Sequence, residues 1–234
     1  MVLIAGVDGC PSGWLCITKN LVTGEIVARI LASIDDVLTL TPRPDVLAID
    51  VPIGLTDKGP RACDLEARAK LGKSRSSSVF PAPIRPTLKA TTYAEACELG
   101  AKADGKKLSR QTWAILRRIR DVDTFLRFDL SRQKWIREIH PEVSFWAWNG
   151  NRAMSCSKKK SAGKAERKDL VISRYGTAYT CALSALPAGQ YSRDDLLDAF
   201  SALWTAERIH AGQALSLPVC PPTDSCGLRM EILA

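Results

Sequence analysis

Three short apolar runs fill the start of the chain and restrict the fold more than any other feature. They cover residues 2–7, 13–18 and 25–31, the last of which is rich in Ile, Val and Ala, and they are separated by turn residues. Runs of this length and spacing predict three β-strands. Because consecutive strands joined by short turns usually pair with each other, we expect an antiparallel meander.

A short helix and a fourth strand are predicted after the meander. Ser33 and Asp36 have the spacing of a capping box, which indicates that a helix begins after Ser33. Residues 45–52 then form an apolar run of the buried type that stops at Asp50 and Pro52. This β-β-β-α-β order predicts an α/β fold.

The chain changes character from about residue 60 to about residue 132, where we predict a mostly helical insertion after the fourth strand. Helical periodicity is present at residues 61–71, 92–103 and 109–130, and a loop rich in Ser, Pro and Arg at 74–86. Residues 135–140 alternate like a fifth strand, and Pro141 suits the start of a further helix. We therefore expect one domain, residues 1–234, with a mixed five-stranded sheet and flanking helices.

The last strong helical pattern is predicted from Ser192 to about residue 213. Ser192 and Asp195 again have capping-box spacing. One narrow stripe of this helix combines small and acidic residues: Asp195, Asp198, Ala199, Ala202 and Ala206. Because alanine lets a helix approach a sheet closely, we expect the two aspartates to lie at one end of a close helix–sheet contact.

Four carboxylates stand at the ends of apolar elements: Asp8, Asp50, Asp195 and Asp198. Converging carboxylates repel one another, so a divalent cation is the natural compensating charge, and hard oxygen ligands favour Mg²⁺ or Mn²⁺. Two such ions, about 3.5–4 Å apart, would suit hydrolysis of a phosphodiester. The simpler alternatives are a turn role for Asp8, beside Gly9, and a helix-capping role for Asp195.

Charge is distributed unevenly along the chain, whose net charge is +8. Residues 61–137 contain 18 Lys+Arg and 8 Asp+Glu, a net +10, and residues 152–174 contain 8 and 2, a net +6. The remainder contains 7 and 15, a net −8. Two interpretations stay open: basic segments that bind a polyanion around an acidic centre, or ordinary solvated helix faces.

Several protein classes are not expected. No apolar run approaches the ~18–20 residues needed to cross a bilayer, and the opening lacks the pattern of a secretory signal, so we expect a cytoplasmic protein that does not enter membranes. The eight cysteines form no CxxC pair, and both histidines, His140 and His210, are far in sequence from closely spaced cysteines. A zinc site is therefore not expected.

Five ordered motifs resemble domain-of-unknown-function family 429. They are AGVDGC with Gly13 and Trp14, AIDVPIG at residues 48–54, SSVFP at 77–81, EIHPEVSF at 138–145 and DDLLDA at 194–199. The resemblance implies a ribonuclease-H-like fold and a nuclease activity. Within that wider fold, the carboxylate pattern is similar to Holliday-junction resolvases, which implies that Asp8, Asp50, Asp195 and Asp198 are metal ligands. Asp50 stands where resolvases typically have Glu.

The remaining candidate site residues lie in two other motifs and a basic loop. Glu142 either joins the metal site or stabilises a helix start through the helix dipole, and His140 either shuttles protons or is a structural histidine. Hydroxyl and cationic groups suited to phosphate contacts are Arg75, Ser77, Ser78, Lys158 and Lys160.

The leading hypothesis is a divalent-metal-dependent nuclease, a hydrolase that acts on DNA or RNA. The alternative is a non-catalytic nucleic-acid-binding module on the same fold, for which the basic segments alone would suffice. A phosphotransferase of the sugar-kinase or actin type ranks last, because those enzymes need two copies of this fold and the chain has no internal repeat. A homodimer is a further partner that the sequence leaves open.

Overall fold

The computed structural model describes residues 2–234 and contains a five-stranded sheet in the order β3-β2-β1-β4-β5. The strands are β1 Leu3–Cys10, β2 Gly13–Asn20, β3 Ile26–Leu31, β4 Val46–Ile49 and β5 Ile136–Glu138. The first three pair antiparallel, whereas β4 pairs parallel with both β1 and β5. The predicted meander and the mixed five-stranded, ribonuclease-H-like α/β sheet are therefore confirmed.

Seven α-helices surround the sheet within residues 2–234. They are α1 Ala62–Arg75, α2 Tyr93–Asp104, α3 Arg110–Phe128, α4 Pro141–Trp148, α5 Ser161–Tyr175, α6 Thr177–Ala185 and α7 Arg193–His210. Short 3₁₀ helices cover Ile34–Thr39, Ser76–Ser78, Arg85–Lys89 and Leu130–Lys134. Helices α1 to α3 lie between β4 and β5 in the chain, where the helical insertion was predicted.

Local sequence signals explain where several helices begin. The capping box after the meander is present, with the Ser33 N–H donating to Asp36 Oδ2 at 2.9 Å. Helix α5 begins at Ser161, and α6 was not predicted from the sequence. Helix α6 follows Gly176, which provides no side-chain cap, so the usual start signal is absent from its sequence.

The sheet separates two hydrophobic cores because successive side chains of a strand point to opposite faces. One face of β1 places Ile4 against a core that includes Phe145, Phe200 and Leu203. The other face places Ala5 and Val7 in a core with residues from α3 and the 3₁₀ helix Ile34–Thr39. The result is three layers, with α7 covering the first face.

Helix α7 lies directly against the backbone of β1. A Cβ atom at Gly6 would stand only 2.1 Å from the Leu203 nitrogen and 2.5 Å from the Ala199 carbonyl oxygen. Ala199 and Ala202 are completely buried in this contact layer. The predicted small-residue stripe and the close helix–sheet approach are therefore confirmed, and they require glycine on the strand side.

The C-terminal segment forms a separate two-stranded sheet beside β5. Strands β6 Ser216–Leu217 and β7 Ile232–Leu233 form an antiparallel pair, and Leu233 also forms a parallel bridge with Ile139. Across the described residues 2–234, no helix combines the length and apolar character needed to cross a membrane.

Candidate functional site

Asp8 and Asp50 lie side by side at the carboxyl ends of two adjacent parallel strands. Val7 of β1 is paired with Ile49 of β4, and the Asp50 N–H donates to the Val7 carbonyl oxygen at 3.0 Å. Asp8 shares its strand face with Gly6, two residues earlier, and that face is the one covered by α7. Both carboxylates therefore reach the sheet edge beside the start of this helix.

Asp198 of α7 completes a cluster of three carboxylates. It is 6% exposed although it carries a charge, and its charge acts on both Asp8 and Asp50. It precedes Ala199, whose carbonyl oxygen faces Gly6, so the close helix–sheet contact fixes its position. Three elements that are distant in sequence thus bring Asp8, Asp50 and Asp198 together, as the resolvase-like pattern implied.

The cluster is electrostatically unfavourable without a compensating cation. Burial raises the pKa of Asp8 well above its usual range, and the negative charges of Asp50 and Asp198 raise it further. Burial and the charge of Asp198 raise the pKa of Asp50 to about 8. Perturbed carboxylates concentrated at the end of parallel strands are typical of functional sites.

Lys158 supplies a cation to this cluster. Its Nζ atom lies 2.8 Å from Asp198 Oδ2, and the charge of Asp198 raises the pKa of Lys158. The lysine side chain is 42% exposed, whereas that of Asp198 is 8% exposed. Lys158 was predicted to contact substrate from a basic loop; the structure places its ammonium group at the carboxylates.

Asp195 takes part in the N-terminal capping box of α7, as the helix-capping interpretation predicts. Its Oδ2 accepts the Ser192 N–H at 2.8 Å, and Ser192 Oγ accepts the Asp195 N–H at 3.1 Å. Its charge still contributes to the raised pKa of Asp8, so it lies near the cluster. One of its oxygens is engaged by the cap, and its role as a metal ligand stays a prediction.

Glu142 is bound by Arg167 rather than placed among the aspartates. The Arg167 guanidinium donates to Oε1 at 2.6 Å and to Oε2 at 2.8 Å, and both residues are almost completely buried. Glu142 lies at the start of α4, the position that both of its interpretations assumed. Both of its carboxylate oxygens are engaged by Arg167, and its membership of a metal site stays a prediction.

His140 is the N-cap of α4. Its Nδ1 atom accepts the Glu142 N–H at 3.2 Å, which requires an unprotonated nitrogen. Burial, followed by the positive charge of Lys158, lowers the pKa of His140 to about 4. The cap favours the structural interpretation, since a ring that stays neutral at pH 7 is poorly suited to proton shuttling, and the role of His140 stays a prediction.

The other predicted phosphate-binding residues have different surroundings. Arg75 donates to the carbonyl oxygens of Met154 at 3.0 Å and of Ser155 at 2.8 Å, so it supports the loop before α5. Ser77 and Lys160 are exposed, and Ser78 is partly exposed. Substrate contacts by these residues stay predictions.

In a comparison with protein families, residues 6–223 match the family described as protein of unknown function (DUF429). The chain belongs to this family. No curated protein and no solved structure matches it. The matched region contains Asp8, Asp50, Lys158 and Asp198, so the whole cluster lies within the DUF429 region. The resemblance expected from the five motifs is confirmed, and the family description assigns no activity.

A buried ion network next to the DUF429 cluster was missed in the sequence. Arg61 donates to Glu138 at 2.7 and 2.8 Å and to Asp64 at 2.6 and 3.2 Å. Burial disfavours the Arg61 cation, but these two carboxylates outweigh it and hold the pKa of Arg61 above its usual value. Glu138 also accepts the Ile53 N–H at 2.6 Å, so the network fixes the segment after Asp50. In the sequence, the position of Glu138 at the end of a predicted strand was the signal that could have revealed this network.

The donors of the DUF429 cluster fit a hard divalent cation in type and in charge. Asp8, Asp50 and Asp198 offer only oxygen atoms, and burial, followed by the neighbouring negative charges, raises the pKa values of Asp8 and Asp50. In their present rotamers, no three His, Cys, Asp or Glu side chains of residues 2–234 are grouped to enclose an ion. The Lys158 ammonium at Asp198 accounts for part of this arrangement, because it engages Oδ2.

Proposed function

We propose that this DUF429 protein is a divalent-metal-dependent phosphodiesterase that acts on nucleic acid. The observation that carries the proposal is the convergence of Asp8, Asp50 and Asp198 at the carboxyl ends of two parallel strands and the start of α7. Burial of several carboxylates is costly and serves no packing purpose here. A cation-binding centre gives it a chemical reason.

Asp8, Asp50 and Asp198 would hold Mg²⁺ or Mn²⁺. Such an ion polarises a phosphoryl oxygen and lowers the pKa of bound water. The Lys158 ammonium, with three donors, can bond Asp198 and still direct donors towards a phosphate. The neutral His140 ring and the Arg61 network hold the backbone on either side of the centre.

The positive charge of the chain supports binding of a phosphate backbone only in part. Several arginines of the basic segments are already bonded to carboxylates or carbonyl oxygens: Arg61, Arg75, Arg85, Arg120 and Arg167. Two of them, Arg61 and Arg167, are buried. Exposed cations on the loop that carries Lys158 are Arg152, Lys159 and Lys160. Part of the positive charge available to a polyanion therefore lies on the loop that carries Lys158, and further exposed cations lie on the helical insertion, as at Lys106, Lys107 and Arg117.

The second candidate is a non-catalytic nucleic-acid-binding module. The observation that favours it is the ion pair between Lys158 and Asp198, which already neutralises part of the cluster. A pure binding module would show salt-dependent affinity without cleavage and without a carboxylate-dependent metal site. The cytoplasmic location and the homodimer expected from the sequence stay predictions.

Cleavage assays with purified protein and Mg²⁺ or Mn²⁺ test the proposal on single-stranded and duplex DNA, RNA, hybrid and branched substrates. We expect cleavage by the wild type and a loss of about 100-fold or more in Asp198→Asn, the scale seen for electrostatic groups at active sites. Asp194→Asn is the matched control, since Asp194 lies on the same helix but pairs with Lys164. Absence of cleavage on every substrate, with identical metal titrations for wild type and Asp198→Asn, would refute the proposal.

A further inference from the structure

Side chains fix the backbone of the loop just before Lys158. They bond both to its main-chain carbonyl oxygens and to its main-chain N–H groups. Arg75 donates to the carbonyl oxygens of Met154 and Ser155. The Glu166 carboxylate accepts the Ser155 N–H at 2.8 Å and the Cys156 N–H at 3.1 Å. Two side chains from different helices therefore hold the three residues 154–156 in one backbone conformation.

Two further contacts fix Cys156 and Ser157, the two residues before Lys158. Arg167 donates to the carbonyl oxygens of Cys156 at 3.1 Å and Gly163 at 2.7 Å. A Cβ atom at Gly163 would lie 2.1 Å from the Ser157 carbonyl oxygen, so only glycine allows this close packing. The backbone thus presents Lys158 to the carboxylates from a fixed position, which distinguishes it from a mobile surface lysine.

Formal charge limits how many ions the cluster can take. Asp8, Asp50 and Asp198 carry −3 when ionised, and the Lys158 ammonium, 2.8 Å from Asp198, brings the total to −2. One divalent cation neutralises this charge, whereas two would leave an excess of +2 in a largely buried site. Asp195, the remaining nearby acid, has one oxygen engaged in the helix cap.

We propose that Lys158 is a permanent cation of the site, in place of one of two divalent ions, so that each chain binds a single divalent ion. This inference rests on the proposed function, because it concerns the same cluster. Lys158 remains bonded to Asp198 when the ion is present, and its exposed face donates to a phosphate oxygen of the substrate. Lys158 is therefore a fixed component of the centre, and the divalent ion does not displace it.

Isothermal titration of the full chain with MnCl₂ tests this stoichiometry. We expect one Mn²⁺ per chain in the wild type and in Lys159→Met, a control that removes an exposed lysine from the same loop. In Lys158→Met the lost positive charge leaves −3, so we expect a second bound ion or at least about tenfold tighter binding of the first. Lys158→Arg, which keeps the charge, restores one ion at wild-type affinity.

The outcomes separate this inference from the proposed function. Two ions in the wild type, with no change in Lys158→Met, overturn the inference and leave a metal-dependent enzyme in place. No Mn²⁺ binding to either protein at millimolar concentration overturns the proposed function itself. Circular dichroism of each variant checks the fold, and Lys158→Gln replaces Lys158→Met if the latter does not fold.

Discussion

Replacing Asp50 by Asn is expected to stabilise the protein when no divalent ion is present. Asp50 lies beside Asp8 on the adjacent parallel strand, and the charge of Asp198 acts on both. An asparagine amide fits about the same volume and is neutral without taking up a proton. The substitution therefore avoids the free-energy cost of keeping Asp50 protonated above its ordinary pKa.

The size of this effect follows from the raised pKa of Asp50. Its ordinary value is 3.8 and its value in the folded protein is about 8. Between these values the folded state holds a proton that the unfolded state has lost, so stability falls as pH rises. One pH unit corresponds to 1.36 kcal/mol, so the advantage of Asp50→Asn grows by at most about 2.7 kcal/mol from pH 5 to pH 7.

Urea denaturation in EDTA at pH 5, 6 and 7 measures the difference in unfolding free energy. Asp194→Asn, whose carboxylate pairs with Lys164, serves as the control and should show no such pH trend. Saturating Mn²⁺ should reverse the order, because the wild type gains more binding free energy than the variant. If Asp50→Asn is less stable than the wild type at pH 7 in EDTA, or if the gap is the same at pH 5, the electrostatic reasoning is wrong.

Three further substitutions test the framework around the site. Gly6→Ala should destabilise the fold by about 3 kcal/mol or more, because the added Cβ meets the α7 backbone. Gly24→Ala, whose Cβ would have nothing within 4 Å, should cost about 1–2 kcal/mol because of the positive φ at that position. Thermal denaturation compares the two variants, and equal losses of stability would contradict the close approach of α7 to β1. Arg61→Met should lower the unfolding free energy by about 3–5 kcal/mol, since it leaves buried carboxylates unpaired; a loss below 1 kcal/mol in urea titration would show that the network is dispensable. Glu142→Gln should accelerate amide hydrogen exchange in residues 154–160 about tenfold, because Arg167 loses its charged partner and holds the loop less firmly; unchanged exchange there would refute the role of this pair.

The sheet and the acidic centre were predictable because their signals are local. Apolar alternation, capping boxes at Ser33 and Ser192, and a stripe of alanines each depend on neighbours within a few residues. The meeting of Asp8 and Asp50 follows from strand order, since the carboxyl ends of adjacent parallel strands share one edge. The topology therefore brought the predicted residues together without any knowledge of side-chain contacts.

The partners of these residues were not predictable in the same way. Arg167 finds Glu142, and Lys158 finds Asp198, across 25 and 40 positions of sequence. An arginine or lysine in a basic segment looks the same whether it faces solvent or closes a buried ion pair. Only the tertiary arrangement decides, which is why part of the positive charge assigned to a binding surface belongs to the interior.

The glycine at position 6 has a consequence for the tolerance of the centre to change. The main chains of β1 and α7 touch at this glycine. The distance between the acidic residues of these two elements is therefore set by main-chain atoms, which do not change when side chains are substituted. Core side chains elsewhere can vary in volume without altering that distance, because no side chain spans this point. The carboxylate spacing is thus a property of the backbone, and substitutions that preserve this one contact should preserve the centre.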